Sequence, residues 1–317
     1  MKTRVYIDGY NFYYGCLKNT PYKWLDLAVL FKQNILPRSG ISNSYLHPDY
    51  GVKFYTAEIS SRAAEDSSSV NDQRSYHAAL VSHQPNLIQV KVVKGSYAID
   101  KVDSRVVELN DDGTEKAPKN CSRIKTWKLE EKQSDVNVAI EAVYDAFSDP
   151  TLEHIVFVTN DTDIVPALSK LKELNALGIR KPIKIGLVVP SKERTGPRKT
   201  NKSLSQLADW TIHFVTDDEL EKSQLPCRVV GGRKPSFRPL SWFRYPKEIA
   251  EILEILSDIE VCGSVPKAWR WLTETKPQVK DLPILADVPS EMLHTMEGIK
   301  AVLQHAKAYS IFKKGQG

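Results

Sequence analysis

Four aspartates of this chain stand where the strands of an α/β sheet would bring them together. Asp8 closes the run Arg4-Val5-Tyr6-Ile7, and Asp161 and Asp163 follow His154-Ile155-Val156-Phe157-Val158-Thr159. Asp135 lies just inside a helix that opens at Ser134. In an open parallel sheet, residues beyond the C-terminal strand ends share one crevice, and ligands bind there. Carboxylates crowded into it repel one another unless a divalent cation neutralises them, and an all-oxygen set favours Mg2+ or Mn2+. The chemistry expected from this pattern is metal-dependent work on phosphate esters.

Each piece also has a local explanation. Asp8 in Asp8-Gly9-Tyr10-Asn11 is placed to cap the following turn. Asp135 suits the positive end of its helix, and Asp163 suits the N-cap of the next one. Glu131 is a candidate further member of the acidic set, though a solvated surface position fits it better, and Lys132 is a candidate phosphate contact.

The elements that must position these residues alternate between strand and helix, the pattern of an α/β domain. Strands are expected at Arg4–Asp8, Val52–Ile59, Leu87–Val93, His154–Thr159, Ile183–Val189 and Thr211–Val215. Helices are expected at Val70–Ser82, Ser134–Phe147, Ile164–Leu177 and Leu204–Trp210. Val136, Ile140 and Val143 give the second helix an apolar stripe. A β-ribbon is expected around the turn Asp111-Asp112-Gly113, with Arg105–Leu109 and Arg123–Lys128 as its arms. The composition then shifts. Arg228–Lys247 is rich in Arg, Lys, Pro and Gly and holds no acid, which reads as an arm leading to a helical end. The boundaries expected are 1–222 for the α/β domain, 223–245 for the linker and 246–317 for a helical C-terminal domain.

With the motifs in place, the chain resembles the NYN domain family of PIN-like ribonucleases over roughly its first 215 residues. The resemblance rests on Asp8-Gly9-Tyr10-Asn11, on Glu130-Glu131-Lys132-Gln133-Ser134-Asp135-Val136-Asn137, and on Thr159-Asn160-Asp161-Thr162-Asp163-Ile164. It implies a PIN-like three-layer α/β/α domain with a mainly parallel sheet. It also implies an endoribonuclease dependent on Mg2+ or Mn2+, with Asp8, Asp135, Asp161 and Asp163 as metal ligands and Asn11 in support. The alternatives are an RNA-binding regulatory protein with little catalysis, or a different metal-dependent phosphoesterase.

RNA is the expected partner. Lys192, Arg194, Arg198, Lys199 and Lys202 form a basic loop after the strand Ile183–Val189, at the same sheet end as the acids. In the basic arm, Trp242 and Phe243 precede an amphipathic helix and read as anchors for the C-terminal domain, which is itself a surface for oligomerisation or a protein partner. The 317 residues carry a net charge of +5, 41% hydrophobic and 26% charged residues, ordinary values for a globular chain. No apolar run approaches membrane-spanning length and the N-terminus lacks an apolar signal core, so a cytoplasmic protein is expected. Cys16, Cys121, Cys227 and Cys262 form no paired motif and read as reduced. Neither a G-x-G-x-x-G nor a G-x-x-x-x-G-K-[ST] sequence appears.

Overall fold

The computed structural model describes residues 1–64, 66–84, 87–192, 199–274 and 276–315. Its main sheet is built from β1 (Lys2–Asp8), β2 (Tyr45–Leu46), β3 (Val52–Ala57), β4 (Val90–Arg105), β5 (Arg123–Lys132), β6 (His154–Val158), β7 (Lys184–Val188) and β8 (Trp210–Ile212). The order is β5-β4-β3-β1-β6-β7-β8, with the short β2 also on β1. The central strands β3 and β6 are buried along their whole length, which is why they read as nearly unbroken apolar runs rather than as alternating ones. Successive side chains enter opposite cores. Val5, Ile7, Val156 and Val158 join one cluster, while Tyr6, Ile155, Phe157, Ile185 and Leu187 join the other.

The expectation of a PIN-like, mainly parallel three-layer domain requires correction, because the sheet is mixed. β4 does not stop at Val93 but runs on for 16 residues in all. It folds back onto β5 in an antiparallel ladder from Ser96↔Lys132 to Arg105↔Arg123, the longest pairing in the sheet. The expected second arm, Arg123–Lys128, lies within β5, but the first arm is the end of β4 up to Arg105 and not Arg105–Leu109. The Asp111-Asp112-Gly113 turn lies at the tip, where Gly113 adopts φ 80, and the paired arms begin farther back.

The helix Ser134–Ser148 lies over the sheet through Val138, Ala142 and Ala146. Of its expected apolar stripe, Val143 packs partly against this core, while Val136 and Ile140 are exposed. Beneath this helix is a network of buried charge. Tyr6 donates to Asp145 Oδ2 at 2.6 Å, Lys53 Nζ reaches the same oxygen at 2.6 Å, and Arg4 Nη1 lies 3.2 Å away. Arg4 also pairs with Asp149, and Lys53 with Glu141.

One glycine is required by close approach. A Cβ on Gly186 in β7 would stand 2.1 Å from Trp210 Cζ2, because the indole lies across this strand to donate to His154 Nε2 at 3.0 Å. Gly186→Ala is expected to cost about 1–3 kcal/mol by overpacking. A lowered urea midpoint with an unchanged slope would show this.

Beyond the sheet, the helices Pro246–Ser257, Val265–Glu274 and Met296–Lys314 close around a third apolar cluster. The basic arm ties it to the rest. Trp242 packs on Trp24 and Tyr76, and Phe243 stacks on Trp269. All four cysteines are free. Among the described residues, no helix is long and apolar enough to cross a membrane.

Candidate active site

β1 ends in Asp8, and the carboxylate is spent at once on the local backbone. Its Oδ1 accepts from the Asn11 amide at 3.0 Å, and its Oδ2 accepts from Asn11 Nδ2 at 2.8 Å and from Thr159 Oγ1 at 2.9 Å. Asp8 is 2% exposed. It ties the first turn to the end of β6, and Asn11 serves as its partner. Asp161 does a similar task, accepting from the Asp163 amide at 3.0 Å as the cap of the short turn Thr162–Ile164. Asp163 is exposed and faces a cavity of about 230 Å3 that it lines with Gln133, Asp135, Val136, Ala139 and Ile140.

Asp135 enters this cavity because of the turn before it. Gln133 takes φ 79, a left-handed conformation, and so swings the chain sharply from β5 into the helix Ser134–Ser148. The same corner holds Glu131, which is on β5 and not in the helix. Ser134 Oγ donates to the Glu131 carboxylate. The sequence marked Glu131 as a solvated acid, but the hairpin buries it partly, beside Tyr10 and Tyr97. The missed signal was the unbroken β5 run Trp127-Lys128-Leu129-Glu130-Glu131-Lys132, which carries the strand to the edge of the site.

These acids share one electrostatic field. Burial, followed by the charges of Asp8, Asp161 and Asp163, pushes the Asp135 carboxyl up to about 6. Burial pushes Glu131 up to about 7, with Asp8 and Asp135 adding to it and the Ser134 hydroxyl opposing. Asp8 is raised as well, chiefly by burial, although its hydrogen bonds pull the other way. A group poised near neutrality in a small cleft is suited to taking and returning a proton.

The site does not assemble the expected metal centre. Both oxygens of Asp8 are occupied by donors, Asp161 caps a turn, and among the described residues no three His, Cys, Asp or Glu side chains converge as a ligand set. The Mg2+ or Mn2+ expectation is corrected on that ground. Of the expected phosphate contacts, Lys132 pairs with Glu130, and Lys192 Nζ donates to the Lys18 carbonyl at 2.9 Å. Lys199 comes close through its backbone, its carbonyl accepting from Asn160, while Lys202 begins a short helix nearby. Arg194 and Arg198 lie outside the described residues.

The fold and site define an α/β protein whose titratable acids meet at the edge of a mixed sheet. No family model matches the chain, and no solved structure matches it. A curated protein does: 6-hydroxy-3-succinoylpyridine 3-monooxygenase HspA of Pseudomonas putida (strain DSM 28022 / S16), 37% identical over 316 residues, which is 98% of this chain and 95% of the relative. The chain belongs to the family of that monooxygenase. This finding overturns the ribonuclease resemblance and the classes it carried, namely a PIN-like nuclease, a hydrolase and a metal-dependent phosphoesterase. The motifs behind the resemblance are accounted for by their geometry, since Asp8 and Asp161 act as caps.

Proposed function

We propose that the protein is a monooxygenase acting on a hydroxylated nitrogen heteroaromatic ring, with Asp135 as the general base. The observation that carries the reading is similarity over nearly the whole of both chains to a 6-hydroxy-3-succinoylpyridine 3-monooxygenase. In such a substrate the ring hydroxyl at position 6 lies para to position 3. Removing the hydroxyl proton sends electron density to that carbon, which carries the succinoyl group; a new C–O bond there forms as the bond to the acyl group breaks, the acyl group passing to water as a carboxylic acid. Asp135, held at about 6 in its cavity, is ionised at neutral pH yet more basic than an ordinary aspartate. Burial, followed by the charges of Asp8, Asp161 and Asp163, maintains this basicity, and Gln133 sets the angle at which the carboxylate enters.

Monooxygenation also consumes two electrons, which a reduced flavin or nicotinamide supplies when bound. The first strand–helix turn does not fit a dinucleotide pyrophosphate as Gly-rich turns do. Asp8 is buried there, and a Cβ on Gly9 would already stand 2.5 Å from the Tyr55 carbonyl oxygen.

The test is turnover of 6-hydroxy-3-succinoylpyridine by purified protein with NADH or NADPH, with and without added FAD. Substrate-dependent oxidation of the reductant, matched by oxygen uptake, is the expected result. Absence of both under every donor combination would rule against the reading.

A further inference from the structure

A larger cavity, of about 880 Å3, lies away from the acidic corner, between the sheet-bearing part of the chain and the C-terminal helices. Its size falls within the range of about 300–1,000 Å3 usual for small-molecule sites. Two buried rings, Tyr22 and Phe243, form part of its wall.

Arg238 also lines it, and its situation is unusual for an arginine. Nη2 is used on the chain, donating to the carbonyl oxygens of Pro21 at 2.6 Å and Trp242 at 2.9 Å. Nε is buried with no acceptor, and the guanidinium sits 4.3 Å from the centre of the Phe243 ring. Among the described residues no carboxylate pairs with it. Burial pulls its pKa down, and the Cys227 thiol is the group that opposes this.

The other charges of the lining are differently placed. Arg228 pairs with Glu274, which also takes Arg270, and Arg244 lies 3.9 Å from Glu221 and donates to Tyr22. Glu291 and His294 complete the ionisable lining. A purely structural strut between Pro21 and Trp242 would need only two donors on one nitrogen. It would not need a full positive charge left without a counter-charge, an arrangement that costs stability until an anion arrives.

We propose that this cavity binds a small aryl carboxylic acid, its carboxylate paired with Arg238 and its ring against Tyr22 and Phe243. Guanidinium–carboxylate pairing supplies the missing charge and fixes orientation, while the aromatic walls supply apolar contact. The inference does not rest on the role of Asp135, because binding is measured with no oxidation taking place.

The experiment is calorimetric titration of the full chain with 4-oxo-4-phenylbutanoate and with its uncharged methyl ester. The acid is expected to bind at least about tenfold more tightly than the ester, as a charge-assisted pair requires. Arg238→Met is expected to remove that preference and leave ester binding unchanged. Equal affinity for acid and ester, or no binding of the acid in the millimolar range, would overturn the proposal. Should Arg238→Met fail to fold, the acid–ester comparison on the wild type still decides. Competition by 6-hydroxy-3-succinoylpyridine separates the two sources of such an acid: displacement marks that compound as an occupant of this cavity and moves its ring away from Asp135, and persistence of the probe marks an effector.

Discussion

Asp135→Asn is expected to lower kcat/KM for 6-hydroxy-3-succinoylpyridine by about 10²–10⁴-fold, the usual contribution of a positioned general base. The wild type should show a rising limb in kcat/KM as pH increases through about 6, where Asp135 ionises. That limb should vanish in the variant. Stability should move in the opposite direction. The Asp135 carboxyl is raised from its ordinary 3.8 to about 6 in the fold, so its protonated form is the one the fold favours. The stability tied to that proton is fully present below 3.8 and is lost as pH rises through about 6. The neutral amide of the variant carries no such penalty, so at pH 8 the variant should melt no lower than the wild type, and about 2–4 °C higher if the relief reaches 1 kcal/mol. An inactive variant that is also less stable at pH 8 would point to a structural role for the carboxylate.

Asp145→Ala is expected to cause the largest loss of stability, about 3–5 kcal/mol, because it removes one side of a buried charge network and leaves the other. Asp145 is 9% exposed and receives Tyr6, Lys53 and Arg4 together. Without it, Lys53 keeps only Glu141, and Arg4 keeps Asp149. Tyr6→Phe is the informative contrast. It deletes one hydrogen bond to a charged group and retains both ion pairs, so its cost should be about 1.5–3 kcal/mol. Chemical denaturation of the two variants checks the difference. Equal losses would mean that the hydrogen bond from the Tyr6 hydroxyl, rather than the ion pairs of Lys53 and Arg4, accounts for what Asp145 contributes.

Much of the sheet could be read from the chain because fully buried strands have few ways to look. His154–Val158 is apolar after its first residue, and Val52–Ala57 is interrupted only by Lys53 and Thr56, which are buried with it. The hairpin was harder. Val90–Arg105 alternates irregularly between exposed and half-buried positions along a projecting ribbon, so no apolar face marks its length. That error carried into the site, for Glu131 is brought into the acidic corner only because β5 runs as far as Lys132. The exposed stripe of the helix Ser134–Ser148 misled for a related reason. Its buried side combines Val138 with the small residues Ala142 and Ala146 and the paired Asp145, while Val136 and Ile140 face outward.

The chemistry of the aspartates was the least legible part. Spacing such as Asp161–Asp163 reads the same whether the acids hold a cation, cap a turn or tune a proton. The occupied oxygens of Asp8, the turn capped by Asp161 Oδ1 and the lack of a converging ligand set among the described residues decide against the cation. The residues that give the corner its basicity come from three distant stretches, the end of β1, the end of β5 and the turn after β6, and burial of their carboxylates has no signature in a single sequence.

Isotope labelling separates oxidation of the substrate from its hydrolysis most directly. Turnover of 6-hydroxy-3-succinoylpyridine under 18O2 in ordinary water, followed by mass spectrometry of the ring product, should show one heavy oxygen in the product. The matching reaction in H218O under ordinary dioxygen should leave the newly formed ring hydroxyl unlabelled. Label arriving from water, with none from dioxygen, would contradict the account.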